Sequence, residues 1–494
     1  MKRGREAAMT ESNYVCPYCG KEIDKSEILF WETVKTQYTD NIRGDFLRKH
    51  GVRVSAGNRF PRMYYRVSPE KIRREDDNGY PTMIEDHLGN AITPEELSRK
   101  STGYQDDLFD DDFEADGFQE DLERRGERRD RELRNIPKRA CPHCHCELPQ
   151  QFGTLKNHHV AMFGGRAAGK TAYLINLFQQ LKTQLSANDL GSVELEAESA
   201  GFLNPMIEDY EREGTTHPTP ADGGLLPIVC HYKNRNAEAF ITLYDIAGEG
   251  TNDPAYMANH KGIATCESLI LMVDPNMFVG GAFYAEWIAN HMTGEDRYRD
   301  AGDCCREPID SFLNQAGELC REYSDQIKYV ICVITKMDML LESEGKYFSS
   351  GDIELLKDTE DKHRGAVSLP VLKQVNDELN TYLEKSHRIL LKEKLSYVFG
   401  DQTRINIVGV STSTRVRGSG TGEIVFEPRS SAMDPKHRII EPFLLVLMYF
   451  GLVPARNLRG EVKYFQGARE EEPPVVPEPE PERKKRGLFG WRRK

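Results

Sequence analysis

Apolar residues occur in six short runs between residues 153 and 467, and helix-like segments separate these runs. The runs are residues 159–163, 227–232, 239–244, 268–273, 328–334 and 405–410. Each run is continuous rather than alternating, which is typical of strands that helices cover on both faces. The pattern predicts an α/β fold of three layers, with a mostly parallel sheet between helices such as residues 171–185 and 371–391. The long gaps after the fourth and fifth runs are expected to hold helical insertions.

A glycine-rich loop directly follows the first apolar run. Residues 164–171 read Gly-Gly-Arg-Ala-Ala-Gly-Lys-Thr, which matches G-x-x-x-x-G-K-[ST] between a strand and a helix. In such a loop, backbone amides and the helix N-terminus surround the β-phosphate. We expect Lys170 to contact the β- and γ-phosphates and Thr171 to ligate Mg²⁺, so both are candidate catalytic residues. The predicted nucleotide-binding residues of the loop are Gly164, Gly165, Arg166, Ala167, Ala168, Gly169, Lys170 and Thr171. The sequence therefore predicts a three-layer P-loop NTPase.

The third apolar run ends in Asp245-Ile-Ala-Gly248, a D-x-x-G motif. The Asp245 carboxylate is expected to hold Mg²⁺ through water, and the Gly248 amide to contact the γ-phosphate. The motif is short, but it stands at the carboxyl end of a predicted strand, where open α/β sheets bind ligands.

The last two apolar runs end in residues suited to recognising a base. Thr335-Lys336-Met337-Asp338 matches [NT]-K-x-D, and Ser411-Thr412 follows the final run. A carboxylate at Asp338 accepts hydrogen bonds from guanine N1–H and its exocyclic amine, a pattern that adenine does not offer. A backbone amide near Ser411 and Thr412 would meet guanine O6. Thr335, Lys336, Asp338, Ser411 and Thr412 are therefore predicted to bind GTP or GDP; an ordinary helix N-cap for Asp338 and the use of ATP are the alternatives.

Two Cys-x-x-Cys pairs precede the phosphate loop. They are Cys16-Pro-Tyr-Cys19 and Cys141-Pro-His-Cys144. Two such pairs complete a tetrahedral Cys₄ zinc site, and a long insertion between them is tolerable because loop-closure entropy rises slowly with length. His145 and Cys146 are spare candidate ligands, and a redox pair is the alternative chemistry. We predict a structural zinc ribbon split between residues 14–20 and 138–150.

Composition separates the remaining segments. Residues 21–137 are predicted to be a charged, partly disordered insertion, and residues 468–494 a proline- and glutamate-rich linker ending in a basic-aromatic tail at 483–494. That tail is a candidate for weak contact with anionic membranes or acidic partners. The formal net charge of −13 does not favour nucleic acid as a general partner. The run at 443–453 is too short to span a bilayer and predicts a buried helix, and we expect a cytoplasmic protein.

In their order along the chain, the motifs resemble those of the Ras-like, translation-factor-like class of P-loop GTPases, over residues 153–467. The cysteine pairs and two segments of the chain are similar to those of the "double-GTPase" families inferred in bacterial conflict systems. The two segments are Gly-Gly-Arg-Ala-Ala-Gly-Lys-Thr and Asp-Ile-Ala-Gly-Glu. The resemblance implies a bacterial cytoplasmic switch that uses GTP, GDP and Mg²⁺ and works beside partner proteins.

Three positions depart from the Ras-like pattern or leave a choice open. Glu249 stands where Ras-like enzymes carry a glutamine that orients the attacking water, so hydrolysis is expected to be slow. Arg166 either acts as an internal arginine finger or points to solvent. The switch threonine that completes the Mg²⁺ site is predicted to be Thr219, with Thr216 as the rival.

The favoured function is a GTP-binding molecular switch with slow Mg²⁺-dependent hydrolysis that signals to protein partners. A ribosome- or RNA-associated GTPase is the first alternative, and a scaffold that nucleotide only stabilises is the second. Thr171, Asp245 and Asp338 argue against the scaffold, because a scaffold does not need ligands for Mg²⁺ and for a base.

Overall fold

A computed structural model describes the chain in segments. The described residues are 14–24, 27–33, 42, 45–46, 62–66, 84–85, 91–92, 138–165, 168–213, 226–247, 261–279, 308–323, 327–337, 363–387, 389–417, 424–428 and 438–465.

The amino-terminal strands are short and form small antiparallel sheets. They are β1 (Tyr14–Val15), β2 (Glu22–Ile23), β3 (Leu29–Thr33), β4 (Arg62–Arg66), β5 (Ile84–Glu85), β6 (Ala91–Ile92), β7 (Lys138–Ala140) and β8 (Glu147–Leu148). Strand β1 pairs with β2, β5 pairs with β6, and the other four form a sheet in the order β4-β3-β7-β8. Strands β2 and β3 lie within the segment that the sequence prediction assigned to the insertion, yet they pair with strands of the predicted ribbon.

A seven-stranded sheet forms the centre of the molecule. Its strands are β9 (Asn157–Gly164), β10 (Ser192–Leu195), β11 (Ile228–Lys233), β12 (Glu238–Ala247), β13 (Ser268–Val273), β14 (Tyr329–Ile334) and β16 (Arg404–Gly409). Their order is β10-β11-β12-β9-β13-β14-β16. The five strands from β12 to β16 are parallel, and β10 and β11 are antiparallel to their neighbours. All six predicted strands are confirmed, and β10 is an additional edge strand.

A three-stranded sheet, a pair of strands and seven helices complete the described fold. The strands are β15 (Val367–Ser368), β17 (Ser413–Arg417), β18 (Ile424–Pro428), β19 (Pro454–Arg456) and β20 (Val462–Tyr464). The three-stranded sheet has the order β15-β19-β20, and β17 pairs with β18. The helices are α1 (Lys170–Ala187), α2 (Ala197–Glu213), α3 (Asn276–Val279), α4 (Ile309–Tyr323), α5 (Leu369–His387), α6 (Leu391–Phe399) and α7 (Glu441–Tyr449), and a 3₁₀ turn spans Lys261–Thr265.

Each face of the central sheet has its own apolar core, because side chains alternate along a strand. Helices α1, α2 and α7 cover the face that carries Ile241 and Leu243. Helices α4, α5 and α6 cover the opposite face, where Phe163 stacks on Phe312 with ring centroids 5.1 Å apart. The fold is therefore the predicted three-layer α/β arrangement with a mostly parallel sheet.

Helix α7 is buried along its whole length, as the apolar run at 443–453 predicts. Its first residue, Glu441, accepts two hydrogen bonds of 2.8 Å from Arg438 and lies 3.0 Å from His363 Nε2. The backbone amide of Ser368 donates to His363 Nδ1, so Nε2 carries the proton and donates to Glu441. None of the helices in the described segments is both long and apolar enough to cross a bilayer.

Candidate nucleotide and metal sites

The predicted phosphate loop connects the end of strand β9 to the start of helix α1. Gly169 precedes the helix with φ 85° and ψ 19°, a left-handed conformation that glycine adopts without strain. No side chain of the described residues caps the first turn of the helix. A helix N-terminus in this position can present backbone amides to a phosphate.

Gly164 lets the loop leave the sheet close to the neighbouring strand. A Cβ atom at this position would lie 2.8 Å from Met272 Cβ and 3.1 Å from the Met272 carbonyl oxygen. Real side chains do not approach that closely, so the close packing of β9 on β13 requires a glycine there.

The Lys170 ammonium lies across the loop. Its Nζ donates hydrogen bonds to the carbonyl oxygens of Gly164 at 2.6 Å and Gly165 at 3.2 Å. These contacts hold the loop closed around the helix N-terminus and keep a positive charge where the predicted phosphate lies.

Asp245 lies beside the loop on the adjacent strand. Asp245 pairs in register with Met162, which lies two residues before Gly164, and Asp245 is only 6% exposed. Burial raises the pKa of Asp245, and the charge of Lys170 partly opposes the rise. Its Oδ1 atom has no hydrogen-bond partner among the described residues. A buried carboxylate oxygen without a donor is costly, and a cation held jointly with the Thr171 hydroxyl would satisfy it.

Residues of the predicted base site are locked together at the carboxyl ends of β13, β14 and β16. Thr335 donates from both its amide and its hydroxyl to the Val273 carbonyl, at 2.9 and 3.3 Å. The Lys336 ammonium lies 2.6 Å from the fully buried carboxylate of Asp274, and Lys336 itself has a φ of 53°. Sequence reasoning missed Asp274, although a polar residue directly after a buried strand was a signal for it.

The final strand is joined to the same corner. The Met337 amide donates to the Val410 carbonyl at 3.1 Å, and the Val410 amide donates to Ile334 at 2.8 Å. Ser411 is fully buried, and the Thr412 carbonyl accepts from the Tyr210 hydroxyl at 3.2 Å. The ends of the last two strands are thus held in one place, as base recognition by both requires.

Several predicted site residues lie outside the described segments and stay predictions. They are Arg166, Ala167, Thr216, Thr219, Gly248, Glu249 and Asp338. The other predicted site residues belong to the described segments and lie at or close to the carboxyl ends of the parallel strands. They are Gly164, Gly165, Ala168, Gly169, Lys170, Thr171, Asp245, Thr335, Lys336, Ser411 and Thr412.

The four cysteines of the two predicted knuckles converge on one point. The Sγ atoms of Cys16, Cys19, Cys141 and Cys144 all lie within 4.8 Å of one another. Cys16 Sγ is 3.9 Å from Cys144 Sγ, and Cys19 Sγ is 3.8 Å from Cys141 Sγ. Disulfide sulfurs lie at about 2.05 Å, whereas four thiolates at about 2.3 Å from one zinc ion are separated by about 3.8 Å. The spacing is compatible with a tetrahedral zinc site, and these two pairs of sulfurs are too far apart to form disulfide bonds.

The two knuckles have the same backbone geometry. In each, the residue after the second cysteine donates its amide to the carbonyl of the first: Gly20 to Cys16 at 3.0 Å and His145 to Cys141 at 2.9 Å. Both of these residues have a positive φ, 65° at Gly20 and 57° at His145. Cys146 is buried nearby but is not a member of the four-sulfur group.

The close packing of the four sulfurs shifts the pKa of individual thiols in opposite directions. Burial raises the pKa of the Cys16 and Cys144 thiols well above the ordinary value, whereas hydrogen bonding with Cys141 and the other thiols lowers the pKa of Cys19. A divalent metal at the centre would offset that cost, because metal binding deprotonates coordinating thiols.

The fold is that of a P-loop nucleotide-binding protein, because a glycine-rich loop connects strand β9 to helix α1 in a mostly parallel sheet. The same chain carries a four-cysteine cluster that is compatible with zinc. No protein-family model matches the chain, and no curated protein matches it.

Structures similar to the chain include a crystal structure of Sup35 complexed with GMPPNP, at 12% identity and a TM-score of 0.19 over 52% of this chain and 37% of that one. Another is the S. cerevisiae Ski7 GTPase-like domain bound to GTP, at 15% identity and a TM-score of 0.23 over 52% of this chain and 43% of that one. The chain spans less than half the length of each. The P-loop class of fold therefore rests on the phosphate loop and on the order of the strands.

Proposed function

We propose that the chain binds GTP and GDP with Mg²⁺ at residues 164–171 and acts as a molecular switch that hydrolyses GTP slowly. One observation carries the proposal. The phosphate loop, Thr335–Lys336 and Ser411 follow strands β9, β14 and β16, and Asp245 lies near the carboxyl end of β12. These are four of the five consecutive parallel strands of the sheet, so the residues meet at one of its edges. Open α/β sheets bind ligands at that edge.

Each described residue has a definite task in this proposal. The amides at the start of α1 and the Lys170 ammonium hold the phosphates, since both present positive charge to the loop. Thr171 and Asp245 would hold Mg²⁺, which supplies charge neutralisation at the phosphates when it is bound. The Asp274 carboxylate holds Lys336, which precedes the predicted base-recognition residue Asp338 by two positions in the sequence.

Slow hydrolysis rests on the sequence at two predicted positions. Glu249 would bring a negative charge near the γ-phosphate, whereas a glutamine there orients water without that repulsion. In this proposal Arg166 does not act as an internal arginine finger. Multiple-turnover hydrolysis at tens per second by the isolated chain would contradict it.

Signalling completes the proposal. The nucleotide state is relayed to protein partners in a bacterial cytoplasm, in the manner of the double-GTPase families of conflict systems. The tail at 483–494 adds weak contact with an anionic membrane or an acidic partner. Pull-down from lysate with the GTP-locked and GDP-bound chains tests this part, and identical partners in both states would refute a switch.

The base specificity is tested by the variant Asp338→Asn. Losing one charged hydrogen-bonding partner of guanine should weaken GTP binding by tenfold to about 150-fold, equivalent to about 1.5–3 kcal/mol. Xanthosine triphosphate binding should strengthen, because an amide can donate to the extra xanthine oxygen. Affinities for GTP, GDP, ATP and xanthosine triphosphate, with and without Mg²⁺, are measured by calorimetry.

The exposed Asp377 on helix α5 provides the matched control, and Asp377→Asn should leave all four affinities unchanged. Unchanged GTP affinity in Asp338→Asn, or tighter binding of ATP than of GTP by the unaltered chain, would refute guanine recognition.

A further inference from the structure

The four-cysteine ribbon is packed directly on the nucleotide-binding sheet. Its buried residues Cys16, Ile23 and Cys144 share one apolar cluster with Val229 of β11 and Phe240 of β12. These two residues lie on the sheet face opposite to Ile241, which packs on the helices of the other layer. The ribbon therefore covers the β11–β12 hairpin as part of the same core.

Hydrogen bonds join the ribbon to the same part of the fold. The Glu147 amide in strand β8 donates to the Glu198 carboxylate in the first turn of α2 at 2.8 Å. The Phe240 amide donates to the carbonyl of Lys156 at 2.9 Å, directly before strand β9 begins. Only residues 149–156 separate β8 from the strand that carries the phosphate loop. The ribbon is thus joined to α2 by a hydrogen bond and to strand β9 by a short connection.

The β11–β12 hairpin also connects the two predicted switch segments. Thr216 and Thr219 precede it, and Gly248 follows it. Leu226, two residues before the first strand of the hairpin, is buried in the cluster that contains the cysteines. Asp245 lies in the second strand of the hairpin. Packing of the ribbon therefore holds Leu226, which follows one predicted switch segment, and strand β12, which precedes the other.

We propose that zinc at Cys16, Cys19, Cys141 and Cys144 and Mg²⁺-nucleotide at the phosphate loop bind cooperatively through the packing of the ribbon on the β11–β12 hairpin. This inference rests on the proposed nucleotide function. Zinc orders the ribbon, the ordered ribbon holds the hairpin, and the hairpin holds Asp245 and Leu226 for the nucleotide. Because binding linkage is reciprocal, nucleotide must protect zinc by the same factor by which zinc strengthens nucleotide binding.

The first experiment measures zinc on the full chain. Metal analysis of protein purified without chelator should find about one zinc per chain, which tests the metal site independently of nucleotide. Zinc affinity is then obtained by competition with a zinc-selective chelator in millimolar Mg²⁺, with and without saturating GMPPNP. We expect GMPPNP to tighten zinc binding at least fivefold, the lower end of usual coupling. Equal zinc affinities with and without bound GMPPNP would overturn the linkage.

The route of the coupling is tested by two substitutions in adjacent residues of one strand. Phe240→Leu removes aromatic contact with the ribbon cluster, whereas Ile241→Val makes a small cut in the opposite core. Phe240→Leu should reduce the protection by GMPPNP to less than twofold, and Ile241→Val should retain it. Loss of protection in both variants, or in neither, would overturn this route.

The failures are distinguishable. A zinc-loaded chain that binds no GMPPNP refutes the proposed nucleotide function and the linkage with it. A chain that binds GMPPNP but contains no zinc refutes the metal site and the linkage, and it leaves the proposed nucleotide function standing.

Discussion

At the residue scale, Lys170 is the side chain expected to contribute most to phosphate affinity in the proposed site. Its Nζ donates hydrogen bonds to two loop carbonyls, which hold the ammonium in place at the loop. Replacing it with alanine removes charge-assisted hydrogen bonds that contribute about 1.5–3 kcal/mol. Lys170→Ala should therefore weaken GTP binding by tenfold to about 150-fold in calorimetry. Lys182→Ala, an exposed lysine in the same helix, is the control and should bind normally.

Asp245 is expected to lower the free energy of unfolding near neutral pH and to provide a ligand for Mg²⁺. Burial raises its pKa above the ordinary value of 3.8, so the folded chain binds a proton that the unfolded chain has released. The free energy of unfolding must then fall as pH rises through the interval between 3.8 and the raised pKa. In Asp245→Asn this pH-dependent loss should disappear, and the nucleotide-free variant should be at least as stable as the parent chain at pH 7.

The same variant should lose the Mg²⁺-dependent gain in nucleotide affinity. Thermal unfolding between pH 4 and 7 and GTP binding with and without Mg²⁺ are the measurements. Asp189→Asn changes an exposed carboxylate and serves as the control. A normal Mg²⁺ dependence in Asp245→Asn would show that this carboxylate does not serve the metal.

At the scale of elements, helix α7 depends on a buried ionic group. Arg438, Glu441 and His363 are all at most 3% exposed and bond to one another. Removing one partner of such a group leaves a buried charge uncompensated, which costs about 3–5 kcal/mol. Arg438→Met should lower the free energy of unfolding by that amount in urea denaturation. Lys373→Met breaks the exposed pair with Asp377 and should cost less than about 0.5 kcal/mol; equal losses would contradict the account.

The elements that the sequence predicted are those with a strong local signal. Continuous apolar runs marked six strands, and the glycine-rich motif marked the start of α1 within one residue. Strand β10 was missed because Ser192–Leu195 contains only two apolar residues and gains its strand conformation by pairing with β11. Pairing across such a distance leaves no local pattern.

Other contacts of the site were hidden for the same reason. Nothing in the sequence shows that Val229 and Phe240 face cysteines rather than a helix, because a covered strand is apolar in either case. The contact of His363 with Glu441 joins residues 78 positions apart. Base recognition by Asp338 and Mg²⁺ binding by Thr219 or Thr216 are still predictions, since these residues lie outside the described segments.

At the scale of the whole molecule, the carboxyl-terminal segment starts far from the predicted nucleotide site. Phe465 packs on Tyr449 and Tyr329 with ring centroids 5.4 and 6.1 Å away, and the Arg404 guanidinium lies 4.4 Å from its ring centre. Tyr329 and Arg404 begin strands β14 and β16, whose other ends carry the site. The two ends of such a six-residue strand are about 17 Å apart.

Removal of residues 483–494 should therefore separate two properties. The truncated chain should lose binding to vesicles rich in anionic lipid, because each basic residue near such a surface contributes about 1 kcal/mol. Its GTP affinity should stay within about twofold of the full chain. Co-sedimentation and calorimetry measure the two, and neutral phosphatidylcholine vesicles are the control. Retained binding to anionic vesicles would remove the tail from the proposal.

The ribbon has its two halves far apart in the chain, with Cys16 and Cys144 separated by 128 positions. During synthesis at roughly 5–20 residues per second, roughly 6–26 s pass between the emergence of these two residues. Throughout that interval only the two thiols of the first knuckle exist, which cannot fill a four-ligand shell. Strand β9 and the phosphate loop emerge almost immediately after the second knuckle. The four-cysteine site is therefore completed during synthesis at nearly the same time as the phosphate loop emerges, so binding of the proposed zinc ion would coincide with the start of folding of the central sheet.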